Sequence, residues 1–146
     1  GHKAREKQGA AAAKGPASVM DGIPMALPEL IRADKLQRRA ARVGFDWPQV
    51  FETIFKIEEE LDEVKQELEF GDRAKLKEEV GDLLFAVVNL SRHAGIDPEQ
   101  ALRLGNRKFE GRFRAMEKHL ARQGRKPQDC DLEELDALWE TVKGEN

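Results

Sequence analysis

The stretches Lys56–Val64, KIEEELDEV, and Lys75–Leu83, KLKEEVGDL, agree position by position: lysine, apolar, any residue, two glutamates, apolar, any residue, acid, apolar. Apolar residues recur around both at helical spacing. Ile57, Leu61, Val64 and Leu68 form one stripe, and Leu76, Val80, Leu83, Val87 and Leu90 form another, so each stretch belongs on a helix whose stripe faces a core. Only Gly71 and Asp72 separate the two helices, and a turn that short makes them antiparallel neighbours. The duplicated stretches then lie side by side. Lys56, Glu60, Glu63 and Glu67 flank the first stripe, and Lys75, Glu79 and Asp82 take the equivalent flank of the second. The second helix of the pair also carries Phe85 and Val88 away from its stripe, which makes it apolar nearly all round. Such a helix needs cover on several sides, and a homodimer with this helix at its centre is the expected arrangement.

Punctuation elsewhere is equally helical. One helix is expected from about Pro28 to Gly44, the paired helices from near Pro48 to Gly71 and from Asp72 to Gly95, a fourth from Asp97 and Pro98 to about Gly124, and a short fifth, LEELDALWETVK, capped by Asp131. Nothing reads as a strand. The expectation is an all-α antiparallel bundle of about five helices forming one domain over residues 22–146. Residues 1–21 read as a linker or cloning remnant, because GHKAREKQGAAAAKGPAS has no apolar signal core and no initiator methionine. That start also fits a piece cut from a longer protein.

Composition narrows the function classes. A chain of 146 residues with 36% charged and 40% apolar residues, two tryptophans and no tyrosine suits amphipathic helices. A net charge of −3 gives no general basic field, so direct nucleic-acid binding is not expected, although local cations can still hold phosphates. Cys130, the single cysteine, cannot form an internal disulfide, and no apolar run approaches the roughly 18 residues of a membrane span. No membrane association and a cytoplasmic setting are expected. The chain has no GxxxxGK[ST] loop, no GxGxxG and no nucleophile elbow, which removes the P-loop, Rossmann and serine-hydrolase readings. His2, His93 and His119 show no metal-ligand spacing and stay outside the site.

Acids at i and i+3 on each of two facing helices converge into a group of oxygen donors that repel one another unless a cation sits among them. Hard divalent ions such as Mg²⁺ or Mn²⁺ take such donors. The competing account is a solvated face, since glutamate is a strong helix former, but the second copy of the pattern weighs toward a metal site. Gly81, next to Asp82, sits inside a helix at a cost of about 1 kcal/mol relative to alanine. Close approach of a bound group or of a neighbouring helix would explain it equally.

Glu59, Glu60 and Glu63 of EELDE, followed after 15 residues by Glu79 and Asp82 of EVGD, resemble the EExxE…ExxD signature of MazG-type nucleoside triphosphate pyrophosphohydrolases. The resemblance runs from Gly22 to Lys143 through GIPMALPELIRADKLQRRAARVGFDW, GDLLFAVVNLSRHAG, NRKFEGRFRAME and LDALWETVK, and is to the C-terminal catalytic domain of the bacterial members. It implies a dimeric all-α fold and metal-dependent hydrolysis of NTPs and dNTPs between the α- and β-phosphates, giving monophosphate and pyrophosphate. Position by position it makes Glu60, Glu63, Glu79 and Asp82 the Mg²⁺ ligands, with Mn²⁺ as a substitute, and Lys56 and Lys75 nucleotide contacts. On spacing alone those two lysines form i, i+4 ion pairs with Glu60 and Glu79. Lys108 and Arg112 of KFEGR lie beside a stripe of Leu102, Phe109, Phe113, Met116 and Leu120, and Trp139 lies near Leu135, Leu138 and Val142. Spacing makes these solvated charges and a core aromatic; the resemblance makes them triphosphate ligands and a base-stacking ring. Glu59, adjacent to the ligand run without a ligand role, is the candidate general base, although its helical phase points somewhat away. Two rivals stand beside this reading: a relative with a narrower substrate such as dUTP, dCTP or phosphoribosyl-ATP, and a catalytically silent dimerisation or regulatory module. The intact acids, with Lys108, Arg112 and Trp139, argue against the silent module.

Overall fold

The structure, a computed structural model, describes residues 17–145. Among them are five α-helices, α1 (Glu29–Arg42), α2 (Val50–Phe70), α3 (Arg73–His93), α4 (Pro98–Ala121) and α5 (Leu132–Gly144), with a 3₁₀ turn at Pro127–Asp129 and no strand. The all-α expectation is met. Pro28, with ψ at 140°, is the cap of α1 rather than its first helical residue, and Gln49 caps α2. Of the expected linker, residues 1–16, His2 included, lie outside the described residues. Ser18–Asp21 form a turn held by Arg39, whose guanidinium donates to the carbonyls of Val19 and Asp21 at 3.0 and 2.8 Å. The described chain divides into two compact units at the junction of Glu99 and Gln100.

In the first unit, α2 and α3 pack along their lengths as an antiparallel hairpin, and α1 packs on α3. The hairpin closes on two residues. Gly71 adopts φ of +80°, a left-handed conformation that glycine enters without steric cost, and its N–H donates to Glu67 at 2.8 Å. Asp72 then starts α3 by accepting from the Lys75 N–H at 3.1 Å.

The buried face differs from the expected stripes. On α2 it consists of Thr53, Glu60 and Val64, while Leu61 and Leu68 are exposed; on α3 it consists of Ala86, Val88 and Asn89, while Val80 and Val87 are exposed. Val88, expected off the stripe, is 2% exposed. The reason is that α3 touches both α2 and α1, which moves its buried face around to the side between them. With Gln37 of α1, four buried polar residues therefore accompany the buried apolar Val64, Ala86 and Val88 of the hairpin. Burying polar groups costs free energy unless they are paired, so their presence points to a site rather than to stability.

In the second unit, Asp131 caps α5 by accepting from the Glu134 N–H at 2.8 Å. Met116 and Leu120 of α4 and Val142 of α5 are buried, whereas Leu102, Phe109 and Phe113 of the expected stripe stay exposed. Among the described residues, no helix is long and apolar enough to cross a membrane.

Candidate metal centre and adjoining cavity

Asp82 and Glu79, three residues apart on α3, meet Glu60 of α2 with carboxylate oxygens within 4.8 Å of one another. The hairpin turn makes this possible by setting the two helices side by side in a fixed register. Glu60 is buried, Glu79 half-buried and Asp82 exposed, so the group runs from the interior to the surface. Glu63 stands outside this set of three. Its charge still reaches the group: desolvation first, then the charges of Asp82, Glu63, Glu60 and Glu67, raise the Glu79 carboxyl above its ordinary range. Lys56 supplies nearby positive charge, donating to Glu60 at 2.9 Å and to Glu59 at 3.5 Å, and its ammonium is held protonated chiefly by the bond to Glu60. The i, i+4 pair expected for Lys56 is thus present. Lys75 makes the other kind of contact, reaching Glu67 across the hairpin at 4.0 Å. Several hard oxygen donors, mutually repelling and partly open to solvent, fit a divalent cation that retains some of its water. Gly81 has open space where a Cβ would stand, so packing among the described residues does not account for it.

Glu60, Asp82 and Lys56 also line a cavity of about 590 Å³. The rest of its lining includes the aromatic rings of Phe45, Trp47 and Phe85 and the buried polar residues Gln37, Thr53 and Asn89. Gln37 spans from α1 to α3, its Nε2 donating to the Phe85 carbonyl at 2.9 Å, which leaves Oε1 buried without a partner. Asn89 Oδ1 accepts from Arg92 at 2.7 Å. Arg92 in turn clasps Asp46, donating to its two oxygens at 2.6 and 3.1 Å, and His93 Nε2 meets the same carboxylate at 2.7 Å. These bonds hold Asp46 well below the usual carboxylate range, Arg92 contributing most. His93 is therefore tied to the α1–α2 connection and not to the acids.

Two predicted groups remain. Glu59 is outside both the acid set and the cavity lining, with 63% of its side chain exposed and its carboxylate on Lys56. Lys108, Arg112 and Trp139 belong to the second unit, where Arg112 lies 5.5 Å over the Trp139 ring and Phe109 lies 5.6 Å from it. Sequence reasoning missed Gln37, Asp46, Trp47, Asn89 and Arg92. The available signals were weak: polar amides on otherwise apolar helix faces, and an acid and a tryptophan together in the connection GFDWPQ.

Residues 49–116 match the family described as the MazG nucleotide pyrophosphohydrolase domain. Among curated proteins the chain is 48% identical over 128 residues to a nucleoside triphosphate pyrophosphohydrolase of Escherichia coli K12, covering 86% of this chain and 49% of that protein. It is 46% identical over 118 residues to the nucleoside triphosphate pyrophosphohydrolase/pyrophosphatase MazG of Thermotoga maritima, covering 81% and 45% respectively. An uncharacterized Bacillus subtilis protein, YabN, is 42% identical over 127 residues, covering 86% of this chain and 26% of that one. The chain thus spans about half the length of the first two relatives.

Proposed function

We propose, since this chain belongs to the MazG nucleotide pyrophosphohydrolase family through residues 49–116, that it hydrolyses nucleoside triphosphates, ribo and deoxy, at the α–β phosphoanhydride to monophosphate and pyrophosphate. One observation carries this reading beyond the family likeness. Glu60 and Asp82 belong both to the carboxylate group and to the lining of an aromatic cavity, so the acids proposed to hold a cation adjoin a space of the size small-molecule ligands occupy, about 300–1,000 Å³.

Glu60, Glu79 and Asp82, with Glu63 as a fourth donor, would hold Mg²⁺, and Mn²⁺ could replace it. Bound there, the cation would neutralise phosphate charge and lower the pKa of a water. Lys56, bonded to Glu60 and Glu59, balances the Glu60 charge and offers its remaining N–H donor to a phosphate oxygen. Lys75, Lys108 and Arg112 are proposed further phosphate contacts, and Trp139 a stacking surface for the base. Glu59 is the proposed general base, and Glu59→Gln tests it: unchanged turnover across the pH range would remove it from that role.

The exposed apolar side chains of α2 and α3, among them Leu61, Leu68, Leu84 and Val87, support a homodimer with α3 at its centre. Light scattering showing an active monomer would remove that arrangement. A cytoplasmic setting without membrane or direct nucleic-acid contact completes the reading.

The deciding experiment is anion-exchange analysis of products from each common NTP and dNTP, with Mg²⁺ and with EDTA. Monophosphate and pyrophosphate, formed only with metal, are expected, and the rates rank the bases. Diphosphate and orthophosphate would put the attack at the wrong phosphorus.

A further inference from the structure

Asp46 belongs to the connection between α1 and α2, yet its carboxylate gathers donors from well beyond that connection. Its Oδ1 accepts from the Trp47 N–H at 2.8 Å, from Arg92 Nη2 at 2.6 Å and from His93 Nε2 at 2.7 Å, and its Oδ2 accepts from Arg92 Nη1 at 3.1 Å. The bidentate fork is the strongest arrangement available to such a pair. It ties the segment bearing Phe45 and Trp47 to the last turn of α3.

The same guanidinium reaches one step further. Arg92 Nη2 also donates to Asn89 Oδ1 at 2.7 Å, and since only an oxygen accepts that bond, the Asn89 amide has a single orientation with Nδ2 turned away from Arg92. Asn89 is 4% exposed and lines the cavity, so this nitrogen is the donor it offers there. Gln37, in the same lining, has its oxygen left over because its nitrogen is spent on the Phe85 carbonyl. One amide donor and one amide acceptor in an aromatic cavity suit the polar edge of a heterocyclic base. Arg92 also lines the cavity and by charge alone would pass for a phosphate ligand. Its fork is occupied by Asp46 and Asn89, which places it in support of the cavity wall instead.

We propose that Asp46 is a positioning residue for nucleoside recognition, acting through Arg92 on the Asn89 amide and through the backbone on Trp47. This rests on the reading that the cavity receives the nucleoside. Breaking the clasp loosens both the ring and the amide, while the acids on α2 and α3 keep their register.

The test uses the full chain with Mg²⁺, comparing wild type with Asp46→Asn and Arg92→Lys for kcat and KM on the best nucleotide. Inhibition by the matching free nucleoside and by inorganic tripolyphosphate is measured on the same proteins. Each variant is expected to raise KM and the nucleoside Ki about tenfold, the size of one lost hydrogen bond, with kcat within about twofold and the tripolyphosphate Ki unchanged. Asp46→Asn is also expected to add less on an Asn89→Ala background than on wild type. Equal losses for nucleoside and tripolyphosphate, or no loss for either, would overturn the positioning role. Failure of the underlying reading looks different: wild type turns over nucleotide, but free nucleoside neither inhibits it nor changes the Trp47 fluorescence of a Trp139→Phe variant. If circular dichroism shows Asp46→Asn unfolded, His93→Leu removes one donor and leaves the fork. It should raise the nucleoside Ki two- to threefold and leave tripolyphosphate unaffected, and an unchanged nucleoside Ki would reject the proposal.

Discussion

Lys56 Nζ sits 2.9 Å from Glu60 Oε1 across one turn of α2, so the most buried acid of the carboxylate group meets its partner before any ligand arrives. Exposed pairs of this kind are worth little, but Glu60 is largely out of water and its charge would otherwise be costly. Lys56→Met should therefore lower kcat/KM at least tenfold while strengthening Mg²⁺ binding in the absence of nucleotide, because Glu60 is released to the cation. Calorimetric titration with Mg²⁺ alone checks the second half; weaker binding would mean that Lys56 orders the site.

Glu60→Gln and Asp82→Asn each remove one charge while preserving shape. Turnover should fall at least a hundredfold with circular dichroism unchanged, since on the proposed reading the lost groups serve the cation and not the helices. A variant that keeps its activity would reject that residue as a ligand.

Glu79 has its carboxyl raised, first by desolvation and then by neighbouring acids. The sign follows from linkage. A carboxyl whose folded pKa exceeds its unfolded value makes the folded state less stable as pH rises from the ordinary 4.5 through the folded pKa. In EDTA at neutral pH, Glu79→Gln should thus melt higher than wild type, with the gap closing as pH falls toward the ordinary value. Added Mg²⁺ should reverse the order, because wild type gains a bound ion that the variant holds less well.

Asp46 behaves oppositely. Its carboxyl is held low, chiefly by Arg92, so its contribution to stability is present above the unfolded value of 3.8 and is lost as pH falls toward the folded pKa. The melting-temperature gap between wild type and Asp46→Asn should stay level from neutral pH to about pH 5 and narrow in more acid solution. A gap that widens on acidification would contradict the pairing seen here.

Trp47 lines the cavity beside the acids, and Trp139 stacks with Arg112 in the second unit. Trp47→Ala should raise the free-nucleoside Ki about tenfold through loss of an aromatic wall. Equilibrium inhibition measures this directly, and an unchanged Ki would remove Trp47 from the base site.

Helix order, turns and caps were legible in the sequence because each rests on local chemistry: Asp72, Asp131 and Gly71 do what those residue types do next to a helix end. The acid group was legible for a similar reason, since periodicity and a two-residue turn determine which flanks meet. The buried faces were less so. An apolar stripe says that a helix must be covered but not from which side, and α3, covered from two sides, buries Val88 and Asn89 in place of Val80 and Val87. Least legible were Gln37, Asp46 and Arg92, whose partners lie 46 to 48 residues away and carry no periodic signal.

Gly71 and Asp72 are the only residues between α2 and α3, and this makes the turn a gauge of length. One inserted residue that extended α3 at its start would rotate everything after it by about 100° and advance it about 1.5 Å, swinging Glu79 and Asp82 off the face that Glu60 addresses. Elsewhere a surface turn tolerates such changes. Here the spacing between the two halves of the acid group is written into the shortest connection between α-helices among the described residues, so a deletion or insertion in that turn would act as a mutation of the acids themselves.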